Sequence, residues 1–220
     1  MAQTAEFLGW LDEDARDTVL VGVQRLSYPA GTVIERRGEP ASVWAVEDGY
    51  ARLFVSVPDG RQTTVAYART SEMFGWAATV PGTALADVHI LVDSTLLRLD
   101  RGHLERLVET DVAVSWALTR NLSAYFEGAI RLLAVRSLGS MRERLAYDLL
   151  ERACANQLRT GKLLTEATHE DLAHSIGSAR EVVTRTLGDL RRAGIVATAP
   201  GVVRVTDVDR LASIVRGFMT

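Results

Sequence analysis

The chain has 220 residues, 47% of them hydrophobic and 24% charged, an ordinary globular composition with room for one large domain or two modest ones. Its 25 basic and 28 acidic residues leave a formal charge of −3, which excludes a bulk electrostatic pull toward nucleic acid, so such a partner would need a local basic patch. A single cysteine, Cys154, excludes an internal disulfide and a four-cysteine iron–sulfur cluster, and no run of about 18 uncharged apolar residues exists to span a membrane.

In chain order, Met1 to Glu6 lacks the basic-then-apolar pattern of a signal peptide, so the expected location is cytoplasmic. Residues 6–26 predict a helical lead-in, with Leu8, Leu11, Ala15, Val19 and Val23 on one side. From Tyr28 to Leu99 short apolar stretches are broken by Gly31, Gly38, Gly49, Gly60 and Gly75. Val43–Val46, Tyr50–Val57, Thr63–Tyr67 and Val88–Val92 predict strands, and Pro58-Asp59-Gly60 predicts a hairpin turn. Evenly spaced short strands imply a barrel or roll. Phe74 and Trp76 read as core residues or as an aromatic clamp, and His89 as a packed or surface residue or an axial haem ligand.

Residues 111–135 contain no proline and carry Val114, Leu118, Leu122, Tyr125, Ala129 and Leu132 at gaps of four and three, a helix of about 37 Å with an apolar stripe. The stripe can pack on the chain's own roll or on a second subunit, and the helix length favours the second. The pattern breaks at Arg136–Ser140, where Gly139 is a candidate hinge, and Arg142–Ala155 starts a new amphipathic helix. Cys154 in that helix reads as a small buried hydrophobe, with a redox role as the alternative.

The segment from Thr168 to Gly194 reads as two capped helices joined by a tight turn at Gly177, a helix-turn-helix. Thr168 is placed to cap the first helix with Asp171, and Ser178 to cap the second in a capping box with Glu181. On the second helix Ala179, Val183, Leu187 and Leu190 share an arc of about 80° that would pack, while Arg180, Glu181, Thr184 and Arg185 share an arc of about 140° that would face outward. Arginine pairs with guanine edges, glutamate accepts from the cytosine amino group, and threonine suits phosphate or base. Ile195–Thr198 and Val202–Val205 around Pro200-Gly201 predict a hairpin wing with Arg204 near a phosphate, and Asp207–Arg216 a closing helix.

Residues 168–206 resemble the winged-helix domain of the cyclic AMP receptor protein / fumarate-nitrate reduction (CRP/FNR) regulators. The string Gly177-Ser-Ala-Arg180-Glu181-Val-Val-Thr-Arg185-Thr-Leu through Gly194-Ile195 carries the likeness. In the amino-terminal half, Gly31-Thr-Val-Ile, Gly38-Glu-Pro-Ala and Ser71-Glu72-Met-Phe74-Gly75-Trp resemble the cyclic-nucleotide-binding roll of the same family. The resemblance implies an α+β chain: an effector-sensing β-roll over residues 1–110, a dimerisation helix over 111–137, and a winged helix-turn-helix DNA-binding domain over 138–220. It implies a homodimer on a pseudo-palindromic site in double-stranded DNA, with RNA polymerase as a further partner and a small-molecule effector in the roll. Arg180, Glu181 and Arg185 would read bases, and Thr168, Ser178, Thr184 and Arg204 would complete the DNA contacts. Glu72, Phe74, Gly75, Trp76, Ala84, Leu85, Ala86 and Tyr125 would form the effector pocket, with Glu72 as the ribose-binding acid.

The family's phosphate-binding Arg-Ser/Thr-Ala falls on Ala84-Leu85-Ala86, so the arginine is missing. A buried phosphate without a cationic partner loses roughly several kcal/mol, which argues against cyclic AMP and leaves an uncharged or aromatic molecule, a haem, or no effector. Enzymatic function is not expected: His169 and His174 are five apart, about 140° around a helix, and cannot share a metal. The alternative to a DNA-binding regulator is a ligand-sensing or protein-interaction module whose winged helix binds a protein partner.

Overall fold

Asp12 starts the first helix, α1 (Glu13–Val19), by accepting a hydrogen bond from the Ala15 amide at 2.9 Å, after a single 3-10 turn at Phe7–Trp10. The computed structural model describes residues 7–78 and 82–218. The predicted lead-in helix over 6–26 is therefore broken: the chain leaves α1 at Leu20 and is extended by β1 (Gln24–Tyr28), with Glu6 and the rest of Met1–Glu6 outside the described residues. Leu11, Ala15 and Val19 are buried as expected, whereas Leu26 alternates in a strand.

Internal contacts divide the chain into two units, Met1–Val55 with Val65–Ala129, and Ser56–Thr64 with Ile130–Thr220. The first contains β2 (Val33–Glu35), most of the strands β3 (Val43–Ser56) and β4 (Gln62–Arg69), and all of β5 (Met73–Phe74) and β6 (Asp87–Leu99). Strand order is β1-β6-β3-β4, with β2 also on β6 and β5 also on β3. The two strands expected at Val43–Val46 and Tyr50–Val57 are one: Gly49 bulges the ladder, which shifts register between Val46 and Ala51, instead of ending it. Trp44, Val46, Ala51, Phe74, Val88, Ile90 and Leu96 form the core inside the sheet. A second cluster joins Phe7, Leu11 and Val19 to Leu104 of α2 (Arg101–Thr110) and to Val114 and Leu118 of the next helix.

That helix, α3 (Val112–Leu138), is apolar on two faces. Val114, Ala117, Leu118, Asn121, Leu132 and Val135 are buried, whereas Val112, Trp116, Leu122, Phe126, Ile130 and Leu133 are exposed, Trp116 by 61% and Phe126 by 68%. At 100° per residue the exposed set spans about 120°, and the buried set lies on the opposite side. The single stripe read from the sequence mixed the two: Val114, Leu118 and Leu132 pack inward, and Leu122 and Ala129 face outward.

In the second unit α4 (Met141–Thr160) begins with a capping box between Ser140 and Glu143, immediately after Gly139. A Cβ at Gly139 would stand 2.4 Å from the Val135 carbonyl oxygen, so only glycine fits the junction of α3 and α4. α4 packs with β7 (Leu164–Glu166), α5 (His169–Ile176), α6 (Arg180–Arg192), the hairpin β8 (Val196–Ala199) and β9 (Val202–Val205), and α7 (Val208–Val215). Leu145, Leu149, Leu172, Val183, Leu187, Leu190 and Leu211 are fully buried at its centre, each contributing roughly 1.5–3 kcal/mol of transfer free energy. Within this core Arg152 donates from Nε to Asp148 Oδ2 at 2.9 Å and from Nη2 to Ser175 Oγ at 2.6 Å, tying α4 to α5. Cys154, expected to be buried, is exposed: Arg152, Ala153 and Ala155 take the inward positions.

Candidate functional site

Thr168 caps α5 in a complete capping box: its hydroxyl accepts from the Asp171 amide at 3.1 Å and donates to Asp171 Oδ2 at 2.7 Å. With its hydrogen used there, Thr168 has none for a phosphate. Gly177 ends α5 in a left-handed C-cap, and the turn consumes one residue more than the sequence reading allowed. α6 consequently starts at Arg180 with Ala179 as N-cap and no side-chain cap bond. The Ser178–Glu181 capping box is not formed, and Ala179 is exposed instead of packing with Val183, Leu187 and Leu190.

The outward face is as expected. Arg180, Glu181, Thr184 and Arg185 are all exposed in the first two turns of α6, while Val183, Leu187 and Leu190 anchor the opposite side at 1% exposure or less. Glu181, released from the cap, keeps its carboxylate on the surface. Thr184 is held: its hydroxyl donates to the Arg180 carbonyl at 2.9 Å and lies 2.8 Å from His169 Nδ1, which links α6 to the start of α5. Sequence reasoning missed the role of His169, whose position opposite Thr184 follows from the turn. Arg204 is exposed on β9, facing Leu164 and Ala197 in the neighbouring strands.

A cavity of about 330 Å³ lies between the β-roll and α3. Phe74, Gly75, Trp76, Ala84, Leu85, Ala86 and Tyr125, all expected there, line it. Gly75 is required: it has φ +89°, and a Cβ would stand 2.1 Å from the Ser42 carbonyl oxygen. Glu72, expected to hold a ribose, is absent from the lining. It is buried with its carboxylate turned to Arg69, accepting from the Arg69 amide at 2.9 Å with the guanidinium at 3.8 Å. His89 sits between Val88, which lines the cavity, and Ile90; strand alternation puts it on the other face, so axial ligation of a haem in the cavity has no support. Among the described residues no cluster of three or more His, Cys, Asp or Glu could hold a metal.

The sequence missed the cavity's polar lining, Glu35 and Asn121, and its apolar wall of Leu53, Val55, Val65 and Val88. Glu35 Oε1 accepts from the Ser42 amide at 2.7 Å and Trp44 Nε1 at 3.0 Å, and burial raises the carboxyl above its ordinary value despite these bonds. Among the described residues no arginine or lysine lines the cavity. A cyclic nucleotide's phosphate does not fit it, for want of a counter-charge.

Residues 143–214 match the Crp-like helix-turn-helix domain, and residues 25–111 the cyclic nucleotide-binding domain. The cyclic AMP receptor protein of Thermus thermophilus is 31% identical over 205 residues, covering 92% of this chain and 93% of its own length. The CRP-like cAMP-activated global transcriptional regulator of Mycobacterium tuberculosis is 25% identical over 195 residues, covering 86% and 87%. Among solved structures, a CRP-family transcriptional regulator from Thermus thermophilus superimposes with a TM-score of 0.74 at 25% identity, over 87% of this chain and 96% of that one. No helix among the described residues is long and apolar enough to cross a membrane. With both halves of its fold matched in order and a relative of this identity along nearly its whole length, the chain belongs to the CRP/FNR family of transcriptional regulators.

Proposed function

We propose that the chain binds double-stranded DNA as a homodimer, each subunit laying α6 in the major groove of one half of a pseudo-palindrome. The half-sites would stand about 34 Å apart, one helical turn. The observation that carries this is the exposed Arg180, Glu181 and Arg185 face on a helix whose other side is fully buried. Arg180 and Arg185 would pair with guanine edges and Glu181 with a cytosine amino group, while Arg204 on the wing and Ser178 in the turn would contact phosphates. Thr184 would act through its grip on the Arg180 carbonyl.

The exposed apolar face of α3, from Val112 through Trp116, Phe126 and Ile130 to Leu133, supports dimerisation, because contiguous apolar surface of this kind marks an interaction site. Work would divide among effector sensing in residues 1–110, dimerisation in 111–137 and DNA binding in 138–220. An effector in the roll would change DNA affinity, RNA polymerase would be the partner at promoters, and the cytoplasm the place of action.

The test starts from duplexes selected in vitro with the wild-type protein. Arg180→Ala or Arg185→Ala is expected to cost roughly 1–3 kcal/mol on the selected site by fluorescence anisotropy, with relaxed preference at one base pair per half-site. Both variants binding selected and scrambled duplexes as the wild type does would overturn the assignment.

A further inference from the structure

The β-roll cavity has walls of aliphatic and aromatic side chains, no cation among its described lining residues, and two buried polar atoms without partners. Asn121 is 1% exposed. Its Nδ2 donates to the Met73 carbonyl at 3.1 Å, which turns the amide so that Oδ1 is the free atom, and Oδ1 has no hydrogen-bond partner. One turn further along α3 the Tyr125 hydroxyl is also buried and unpartnered. Residues four apart share a helix face, and both line the cavity. Leaving such atoms unpaired is costly, and folded proteins do so rarely except where something else supplies the partner.

We propose that this cavity is built for a mainly apolar, non-anionic small molecule that presents an N–H or O–H donor to Asn121 Oδ1, an arylamine or phenol in chemical class, and that it rejects cyclic nucleotides. The inference rests on the reading of the roll as the effector site and specifies what that effector is made of. Asn121 Oδ1 can only accept, so the ligand must donate there. The Tyr125 phenol is held neutral, first by burial and then by the nearby negative Glu72, so it can meet either a donor or an acceptor on the ligand. Glu35, with Oε1 already holding Ser42 and Trp44, lines the wall as the acidic group an anion would have to approach. Filling about 330 Å³ with apolar atoms supplies the affinity, and the donor supplies the selectivity.

The full-length protein is titrated with N-phenyl-1-naphthylamine, a neutral fluorophore with one N–H donor, and the bound probe is displaced with 1-phenoxynaphthalene, the same shape with an ether oxygen in place of N–H, or with cyclic AMP. The expected result is saturable probe binding, a five- to tenfold weaker affinity for the ether, and no displacement by cyclic AMP. Asn121→Leu, checked for its fold by circular dichroism, is expected to bind both aromatic compounds equally, whereas Tyr125→Phe keeps the preference for the donor. Equal affinities in the wild type, displacement by cyclic AMP, absence of saturable binding, or a preference that survives in Asn121→Leu would each overturn the proposal. The wild-type comparisons decide the matter even if Asn121→Leu fails to fold. Operator affinity is measured separately with and without the fluorophore. Unchanged operator affinity together with the expected ligand pattern would sink effector control alone, and failed ligand binding leaves DNA recognition by α6 untouched.

Discussion

Asp148→Leu removes a carboxylate that accepts from a guanidinium with almost no access to water. The Asp148 and Arg152 side chains are 3% and 5% exposed, their Nε–Oδ2 distance is 2.9 Å, and Arg152 also reaches Ser175 on α5. Breaking one partner out of such a pair costs about 3–5 kcal/mol, because a buried charge is left uncompensated, and that is a large share of the roughly 5–15 kcal/mol that holds a domain folded. Adding Arg152→Met removes the stranded charge as well, so the double variant is expected to recover most of the loss. The assay is urea unfolding followed by two signals. All four tryptophans, Trp10, Trp44, Trp76 and Trp116, lie before Ile130, so their fluorescence reports the β-roll unit, whereas circular dichroism at 222 nm is dominated by helices throughout. With a slope of about 1–3 kcal/mol per molar urea, the helical transition of Asp148→Leu should move by at least about 1 M while the tryptophan transition stays in place. A loss below about 1 kcal/mol, or a double variant less stable than the single one, would refute the argument that burial makes this pair strong.

Phe126→Glu with Ile130→Glu puts two charges on the exposed apolar face of α3 and should dissociate the proposed dimer, read as a halved mass by sedimentation velocity without loss of helix signal. Ala179→Ser supplies the N-cap that α6 lacks and is expected to stabilise the winged helix by about 0.5–2 kcal/mol in the same urea assay. Burial holds the Glu35 carboxyl above its ordinary 4.5, so the folded chain binds that proton more tightly than the unfolded chain, and stability falls as pH rises from 4.5 through the raised value. Glu35→Gln should flatten that fall in the tryptophan-monitored transition.

The outward face of α6 was legible because a period of 3.6 depends only on local spacing, and Val183, Leu187 and Leu190 fix its phase. The start of that helix was not. Ser178 and Glu181 have capping-box spacing, but Gly177 in its left-handed conformation sets where the next helix can begin, and it begins at Arg180. On α3 the sequence contains two apolar stripes, and nothing local separates the one that meets Phe7 and Leu104 from the one left bare. The resemblance gathered seven residues that do line one cavity, six of them near Gly75 or just before β6 and Tyr125 on α3, but it also put Glu72 there, whose carboxylate is turned to Arg69 three residues away. Asn121 could not be read at all: whether a buried amide oxygen has a partner is decided by Met73, on another element.

The His169–Thr184 bond has a consequence for how the reading head meets its target. Since the threonine gives its hydrogen to the Arg180 carbonyl, the imidazole donates to it from Nδ1, and the two helices are braced together before any encounter. A braced backbone has little conformational freedom left to lose on docking, so the contacts proposed for the guanidinium groups it carries would not be offset by the entropic cost of freezing their support.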